Sequence, residues 1–275
     1  MISLRYLFQC WDDVIKRLEV ATQILLFLDY DGTLTPIVVR PEMAVLSPQG
    51  RNILERISCH SLFKLAIISG RSLSQIRTLL GLENIAYAGN HGLEIECPSC
   101  YCQGRGLRKT TFTHPIAKEF QPKLERLEQK LRHRLANIDG VFIQNKGLTL
   151  SIHYRLAMQS EVGRIKRLFF AVVGYEQARR TLQITEGKEV IEVRPPVEWN
   201  KGNAIEWLMA MYRTPGSLPI FAGDDVTDED GFAAVHKVGG ISILVGKDKA
   251  SNARCYLDSP EELCHWLEIL LEERQ

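Results

Sequence analysis

Four short apolar runs in this chain each stop abruptly at a polar cluster, and that pattern constrains the fold more than any other feature. Ile24 to Leu28 ends in Asp29-Tyr30-Asp31-Gly32, and Phe63 to Ile68 ends in Ser69-Gly70-Arg71. Ile85 to Ala88 ends in Gly89-Asn90-His91-Gly92, and Leu218 to Ala222 ends in Gly223-Asp224-Asp225. Runs this short, apolar throughout and tightly bounded, are buried strands rather than helices. Helical patterns separate them: Ser47 to Arg56, a helix capped by Ser72 running to Leu80, Asn203 to Tyr212 and Pro260 to Glu273. Ile241 to Val245 supplies a further strand, and residues 1–20 read as one amphipathic helix. Strand and helix in alternation predict an α/β fold with a parallel, doubly wound sheet. Open sheets of that kind bind ligands at the carboxyl ends of their strands, where the four polar clusters fall.

The alternation breaks between residues 108 and 193. Lys118 to Leu135 is one long charged helix, and Phe142 to Gln144 pairs with Leu148 to Tyr154 around Asn145-Lys146-Gly147. Val162 to Val173 is helical, and Thr181 to Thr185 pairs with Glu189 to Val193 around Glu186-Gly187-Lys188. Helices with hairpins describe a small α+β domain, so the expected organisation is a discontinuous core (1–107 and 194–275) interrupted by an inserted cap (108–193). Charge segregates along similar lines. The net charge is +1, but residues 105–188 carry 17 Lys/Arg against 7 Asp/Glu, leaving 17 against 26 elsewhere. A basic unit set against an acidic one suits an anionic ligand held over a carboxylate cluster; a solvated basic helix around Lys118 to Arg134 accounts for the same excess.

Hydrophobic residues at 45% and charged residues at 24% exclude disordered and fibrous classes. The run Ile24 to Leu28 is far short of the roughly 20 residues that cross a bilayer, and Asp12 and Asp13 come too early for a signal peptide. Seven cysteines in a chain of this length read as reduced thiols. The expectation is a cytoplasmic protein that binds neither membrane nor nucleic acid.

Asp29 and Asp31, directly after an apolar strand, have no packing value, and buried carboxylates are costly unless they hold a metal or do chemistry. A turn rich in Asp and Gly accounts for Asp31-Gly32 but not for Thr33-Leu34-Thr35 or the second Asp cluster. Ser69, with the amides of the helix that follows, forms a potential phosphate-oxygen site. Lys201 stands at a helix start, where it opposes the macrodipole. Asp224, Asp225 and Asp228 would repel one another without a cation or lysine, whereas Glu229 and Asp230 need only a helix N-terminus.

These four motifs, in this order, resemble those of the haloacid dehalogenase superfamily of phosphotransferases. The longer stretches DYDGTLTPI, ISGRS, GNHGLEI, LTLSIHYR, GKEVIEVRP, NKGNA and FAGDDVTDEDGF are similar to trehalose-6-phosphate phosphatases, from about residue 24 to about residue 246. The resemblance implies a Rossmannoid core with an α+β cap, and Mg²⁺-dependent hydrolysis of trehalose 6-phosphate through an aspartyl-phosphate. It implies Asp29 as nucleophile and Asp31 as proton donor and acceptor, with Ser69 and Lys201 on the phosphoryl oxygens. Mg²⁺ is implied at Asp29, the Asp31 carbonyl and Asp224, with Asp225 and Asp228 behind them, orienting Lys201. Substrate contacts are implied at Arg71, Asn90 and His91 in the core and at Ser151, His153, Arg155, Lys188 and Glu192 in the cap. Alternation places Ser151, His153 and Arg155 on one strand face. Where family members often carry glutamate, this chain has Gln144, two residues before Lys146.

Three other readings stay open on sequence. The substrate is another glycosyl phosphate, such as sucrose phosphate or mannosylglycerate phosphate; the protein is a silent phosphosugar-binding regulator; or Cys97, Cys100 and Cys102, with His114, form a zinc site. The motifs carry no information on oligomeric state or on a synthase partner.

Overall fold

A computed structural model describes residues 4–98, 110–246 and 250–273. Its central strand shows why the apolar runs are unbroken. Ile24, Leu26 and Leu28 enter one hydrophobic core, while Leu25 and Phe27 enter a second on the opposite face of the same sheet. A strand covered on both faces has no polar side to display.

In chain order, the elements before the insertion are β1 (Arg5–Tyr6), α1 (Trp11–Glu19), β2 (Gln23–Leu28), α2 (Pro48–Cys59), β3 (Phe63–Ile68), α3 (Leu73–Leu80), β4 (Ala86–Gly89), β5 (Glu94–Cys97) and β6 (Thr110–Thr113). The insertion holds α4 (Pro115–Leu135), β7 (Phe142–Asn145), β8 (Leu150–His153), α5 (Val162–Ala178), β9 (Gln183–Gly187) and β10 (Val190–Arg194). The chain then returns with α6 (Lys201–Tyr212), β11 (Ser217–Gly223), α7 (Glu229–His236), β12 (Ile241–Val245), β13 (Cys255–Leu257) and α8 (Pro260–Glu272). Among the described residues the large sheet has nine strands in the order β1-β13-β12-β11-β2-β3-β4-β5-β6. The pairings from β1 through β4 are parallel, and β5 pairs with β4 antiparallel. Helices α1, α2, α3 and α8 line one face, and α6 and α7 the other. From β2 the chain winds one way through β3 and β4; from β11 it winds the other way through β12 and β13. The reversal between β2 and β11 is the switch point at which such sheets open a crevice.

Residues 1–20 depart from the expected single helix. Arg5–Tyr6 pairs with β13 as an edge strand, a 3₁₀ turn covers Leu7–Cys10, and only then does α1 begin. Leu7 is fully buried, so the turn is set by packing rather than by helical periodicity.

The chain divides into two compact units, one of residues 1–112 and 199–275, the other of residues 113–198. The breaks lie slightly beyond those drawn from sequence because Phe112, on β6, stacks on Trp199 with ring centroids 5.1 Å apart, tying both crossing points to the larger unit. In the smaller unit, β7-β8-β10-β9 form an antiparallel sheet. Leu150, Ile152, Ile191 and Val193 point to α4 and α5, whose Leu124, Leu127, Ile165 and Phe169 complete the core. No helix among the described residues is long and apolar enough to cross a membrane.

Candidate active site

Each motif of the larger unit lies where its strand or helix places it. Asp29 follows β2, its amide donating to Ala222 of β11, and Asp224 follows β11. These two carboxylates flank the switch point, and with Asp228 they form a buried group whose oxygens lie within 4.8 Å of one another. Lys201 is the first residue of α6, a helix capped reciprocally by Asn200 and Asn203. Its Nζ donates to Asp29 Oδ1 and to Asp228 Oδ1, both at 2.7 Å. Asp228 Oδ2 accepts from the amides of Asp224 and Asp225, at 3.1 and 3.0 Å. Asp228 is therefore committed to orienting Lys201 and the Asp224 turn. Asp225 is not brought into the cluster: it is exposed, and its carboxylate accepts from the Val226 amide as a cap.

Burial pushes the Asp29 carboxyl well above its usual range, with Lys201 opposing and Asp228 and Asp224 adding to the rise. Burial pulls the Lys201 ammonium down, but Asp228 and Asp29 outweigh it and hold its proton more tightly than usual. Three buried carboxylates share one ammonium, so the site carries excess negative charge in a place where water cannot screen it. A hard cation with oxygen ligands fits that donor set. Gly32 supports the fit. It sits at φ +91°, and a Cβ there would lie 2.5 Å from the Asp224 carboxylate, so only glycine lets the turn after Asp31 close against Asp224. The Thr33 hydroxyl is buried with no hydrogen-bond partner among the described residues.

Ser69 is fully buried after β3, its Oγ accepting from the Arg71 amide at 3.1 Å. The amides of α3 are less open than the sequence suggests. The Leu73 amide donates to Glu94 Oε1 at 2.7 Å and the Gln75 amide to the Ser72 hydroxyl, so neither is spare for an anion. Asn90 and His91 both adopt left-handed backbone, φ 49° and 57°, a strained arrangement that the surroundings must hold in place. The Asn90 amide donates to the Arg71 carbonyl and the His91 amide to the Ser69 carbonyl. The His91 ring occupies the space where a Gly70 side chain would be. Asn90 Nδ2 donates to Glu94 Oε1. Glu94 thus staples the Asn90 turn to the start of α3, a role that nothing in its sequence context signals. Arg71 and Asp31 form a bidentate ion pair.

In the smaller unit, Gln144, Ser151, Glu192 and Thr185 lie in register across the four strands, on the face opposite the apolar core. Glu192 Oε1 accepts from Lys146 Nζ at 2.9 Å and from Thr149 Oγ1 and Ser151 Oγ at 3.0 Å. Lys146 and Thr149 were not singled out from sequence, although Lys146 stands two residues from the departure at Gln144. His153 pairs with Gln144 through Nε2 and Oε1 at 3.2 Å, and Phe142 stacks on its ring. Arg155 lies beyond β8, donating to Glu189 Oε2 at 2.9 Å rather than standing beside Ser151. Lys188 is exposed in the turn between β9 and β10. Cys97 is buried in β5 and His114 precedes α4, but Cys100 and Cys102 lie outside the described residues, and the zinc reading with them.

The doubly wound sheet, with buried carboxylates and a lysine at its switch point and an α+β insertion, has counterparts among known proteins. A trehalose-6-phosphate phosphatase domain from Candida albicans has the same fold, with a TM-score of 0.80 at 22% identity over 98% of this chain and 99% of that one. The trehalose-phosphatase family model matches residues 27–261. Trehalose 6-phosphate phosphatase RA3 of Zea mays is 34% identical over 92% of this chain and 71% of its own length. Trehalose-phosphate phosphatase B of Arabidopsis thaliana is 32% identical over 95% and 70%. The chain belongs to the trehalose-phosphatase family and is a phosphoric monoester hydrolase.

Proposed function

We propose that this enzyme hydrolyses trehalose 6-phosphate to trehalose and phosphate in two steps. Asp29 attacks phosphorus as the bond to the sugar oxygen breaks, and Asp31 gives that oxygen its proton. Water then attacks the aspartyl-phosphate, losing a proton to Asp31 and releasing Asp29 and phosphate. Lys201 balances the charge of Asp29 and, with Ser69, faces the phosphoryl oxygens, where negative charge spreads in the transition state. Mg²⁺, held by Asp29, the Asp31 carbonyl and Asp224, would supply a fixed positive charge beside the nucleophile. The observation that carries this reading is the buried Lys201 bridge between Asp29 and Asp228, with Asp224 alongside.

The smaller unit selects the sugar through Ser151 and Glu192, with Lys146 and Thr149 holding Glu192. His153, Arg155 and Lys188 border that face. In the larger unit, Asn90 and His91 shape the approach to Ser69. Seven cysteines in a chain long enough to build its own core fit reduced thiols and a cytoplasmic setting.

Phosphate release from trehalose 6-phosphate, measured beside sucrose phosphate and mannosylglycerate phosphate, tests the substrate. The preferred substrate should be trehalose 6-phosphate, with turnover lost in EDTA, restored by Mg²⁺ and abolished in Asp29→Asn. Preference for another sugar would reassign the substrate. Turnover by Asp29→Asn near the wild-type rate would remove the covalent mechanism.

A further inference from the structure

Arg71 follows the phosphate-site Ser69 by two residues, which suggests a substrate contact, yet its guanidinium is turned to the protein. Nε donates to Asp31 Oδ2 at 2.6 Å and Nη2 to Asp31 Oδ1 at 2.5 Å. Nη2 also donates to the Pro41 carbonyl at 2.7 Å. The guanidinium carbon lies 5.4 Å from the centroid of the Tyr30 ring, whose hydroxyl donates to the Ala44 carbonyl at 2.9 Å. The Arg71 backbone is held as firmly, through Ser69 Oγ on its amide and the Asn90 amide on its carbonyl. The arginine side chain is 10% exposed and the Asp31 side chain 43%. A buried, doubly anchored cation therefore grips a carboxylate that itself stands open to solvent.

Asp31 sits on a turn, and a carboxylate there samples several rotamers unless something fixes it. A fork that binds both oxygens fixes the carboxylate plane as well as its position. We propose that Arg71 is a positioning residue for Asp31: it aims the proton-transfer carboxylate and reads neither the sugar nor the phosphate. The inference rests on the role given to Asp31 above. It adds that the loop at Pro41–Ala44 is a structural part of the site, because the same guanidinium and Tyr30 hold both.

Leaving-group dependence separates this role from the others. With an aryl phosphate the departing phenolate needs little protonation, whereas an alkoxide needs a correctly placed acid. We would measure kcat/KM for trehalose 6-phosphate, glycerol 2-phosphate and 4-nitrophenyl phosphate in the wild type, Arg71→Met and Arg71→Lys. Both alkyl substrates should fall by a similar factor, about 10²-fold or more, and the aryl substrate by distinctly less. Lysine should not restore the loss, since a point charge cannot hold two oxygens in one plane. In an Asp31→Asn background, Arg71→Met should add no further alkyl-specific loss. A loss confined to trehalose 6-phosphate would make Arg71 a sugar contact. An equal loss on all three would make it a phosphate contact or a purely structural residue, and either result overturns the proposal. Full activity in Arg71→Lys overturns it too, and that variant keeps the test decisive should Arg71→Met fail to fold. If the wild type hydrolyses glycerol 2-phosphate but not trehalose 6-phosphate, the sugar assignment fails while the remaining two substrates still test Arg71.

Discussion

Gly32 leaves no room for a methyl group. Replacing it with alanine asks an L residue to take φ +91° and sets a Cβ 2.5 Å from the Asp224 carboxylate. Strain of this kind costs about 1–3 kcal/mol, and relief requires Asp224 to move. Gly32→Ala is therefore expected to lower thermal stability and to raise the Mg²⁺ concentration needed for half-maximal turnover. A fall in stability with Asp224 displaced but unchanged Mg²⁺ dependence would show that Asp224 is not a ligand. At the same scale, the roles of neighbouring acids were only partly legible in sequence. Asp224, Asp225 and Asp228 look alike in a run of aspartates, and what separates them is direction. Asp228 turns inward onto Lys201 and two backbone amides, while Asp225 turns outward to cap its own turn. A run of identical side chains carries no record of which way each one points. Arg71 posed the same difficulty, since its partner Asp31 lies forty residues away.

The cap sheet carries a polar row, Gln144, Ser151, Glu192 and Thr185, on the face opposite its apolar core. Glu192 on β10 gathers three donors on one oxygen, from the turn before β8 and from β8 itself. Glu192→Ala would strip Lys146, Thr149 and Ser151 of their common acceptor and remove the charged group proposed to hydrogen-bond the sugar. For trehalose 6-phosphate, kcat/KM should fall by about 1.5–3 kcal/mol of transition-state stabilisation. A small aryl phosphate, which makes no use of that row, should lose far less. Parallel losses on both substrates would mean that Glu192 supports the unit's fold rather than its selectivity. The elements that sequence resolved are those with their own local signal. Buried β2, β3 and β11 read as apolar runs, and α3 was marked at its start by Ser72; the structure ends it at Gly81, in the left-handed conformation. The outlying strands β1 and β13 at one end of the sheet, and β5 and β6 at the other, escaped because they are two to four residues long and carry no extended apolar run. Their pairing is decided by neighbours distant in sequence, and no periodicity develops over so few residues.

Across the whole molecule, burying three carboxylates around one ammonium ties stability to pH and to cations. The folded-state pKa of Asp29 is raised, so its contribution is fully present below the ordinary carboxylate range and is lost as pH climbs through the raised value. Above that point the fold carries an ionised, buried acid that an added cation would relieve. Adding Mg²⁺ should therefore raise the melting temperature more in mildly alkaline than in mildly acidic buffer, as differential scanning calorimetry can measure. A rise independent of pH would detach the cation from Asp29. Lys201 works in the opposite range: its stabilising contribution is present below the ordinary lysine value and is lost only as pH rises through a still higher one.

The pairing of β2 with β11 has a temporal meaning as well as a spatial one. The central strand meets one neighbour, β3, early in the chain, but its other neighbour comes from beyond the insertion. The smaller unit, by contrast, is a single uninterrupted stretch with its own core. As the polypeptide leaves the ribosome, the insertion has everything it needs while the larger sheet still lacks three of its nine described strands, and contacts between remote segments form slowly. Asp29, the proposed nucleophile at the end of β2, thus waits on an edge that is not yet an interior strand until β11 has been made. A message truncated between residue 198 and Asp224 would yield a complete smaller unit attached to a core without Asp224 and, on the proposed mechanism, without catalysis.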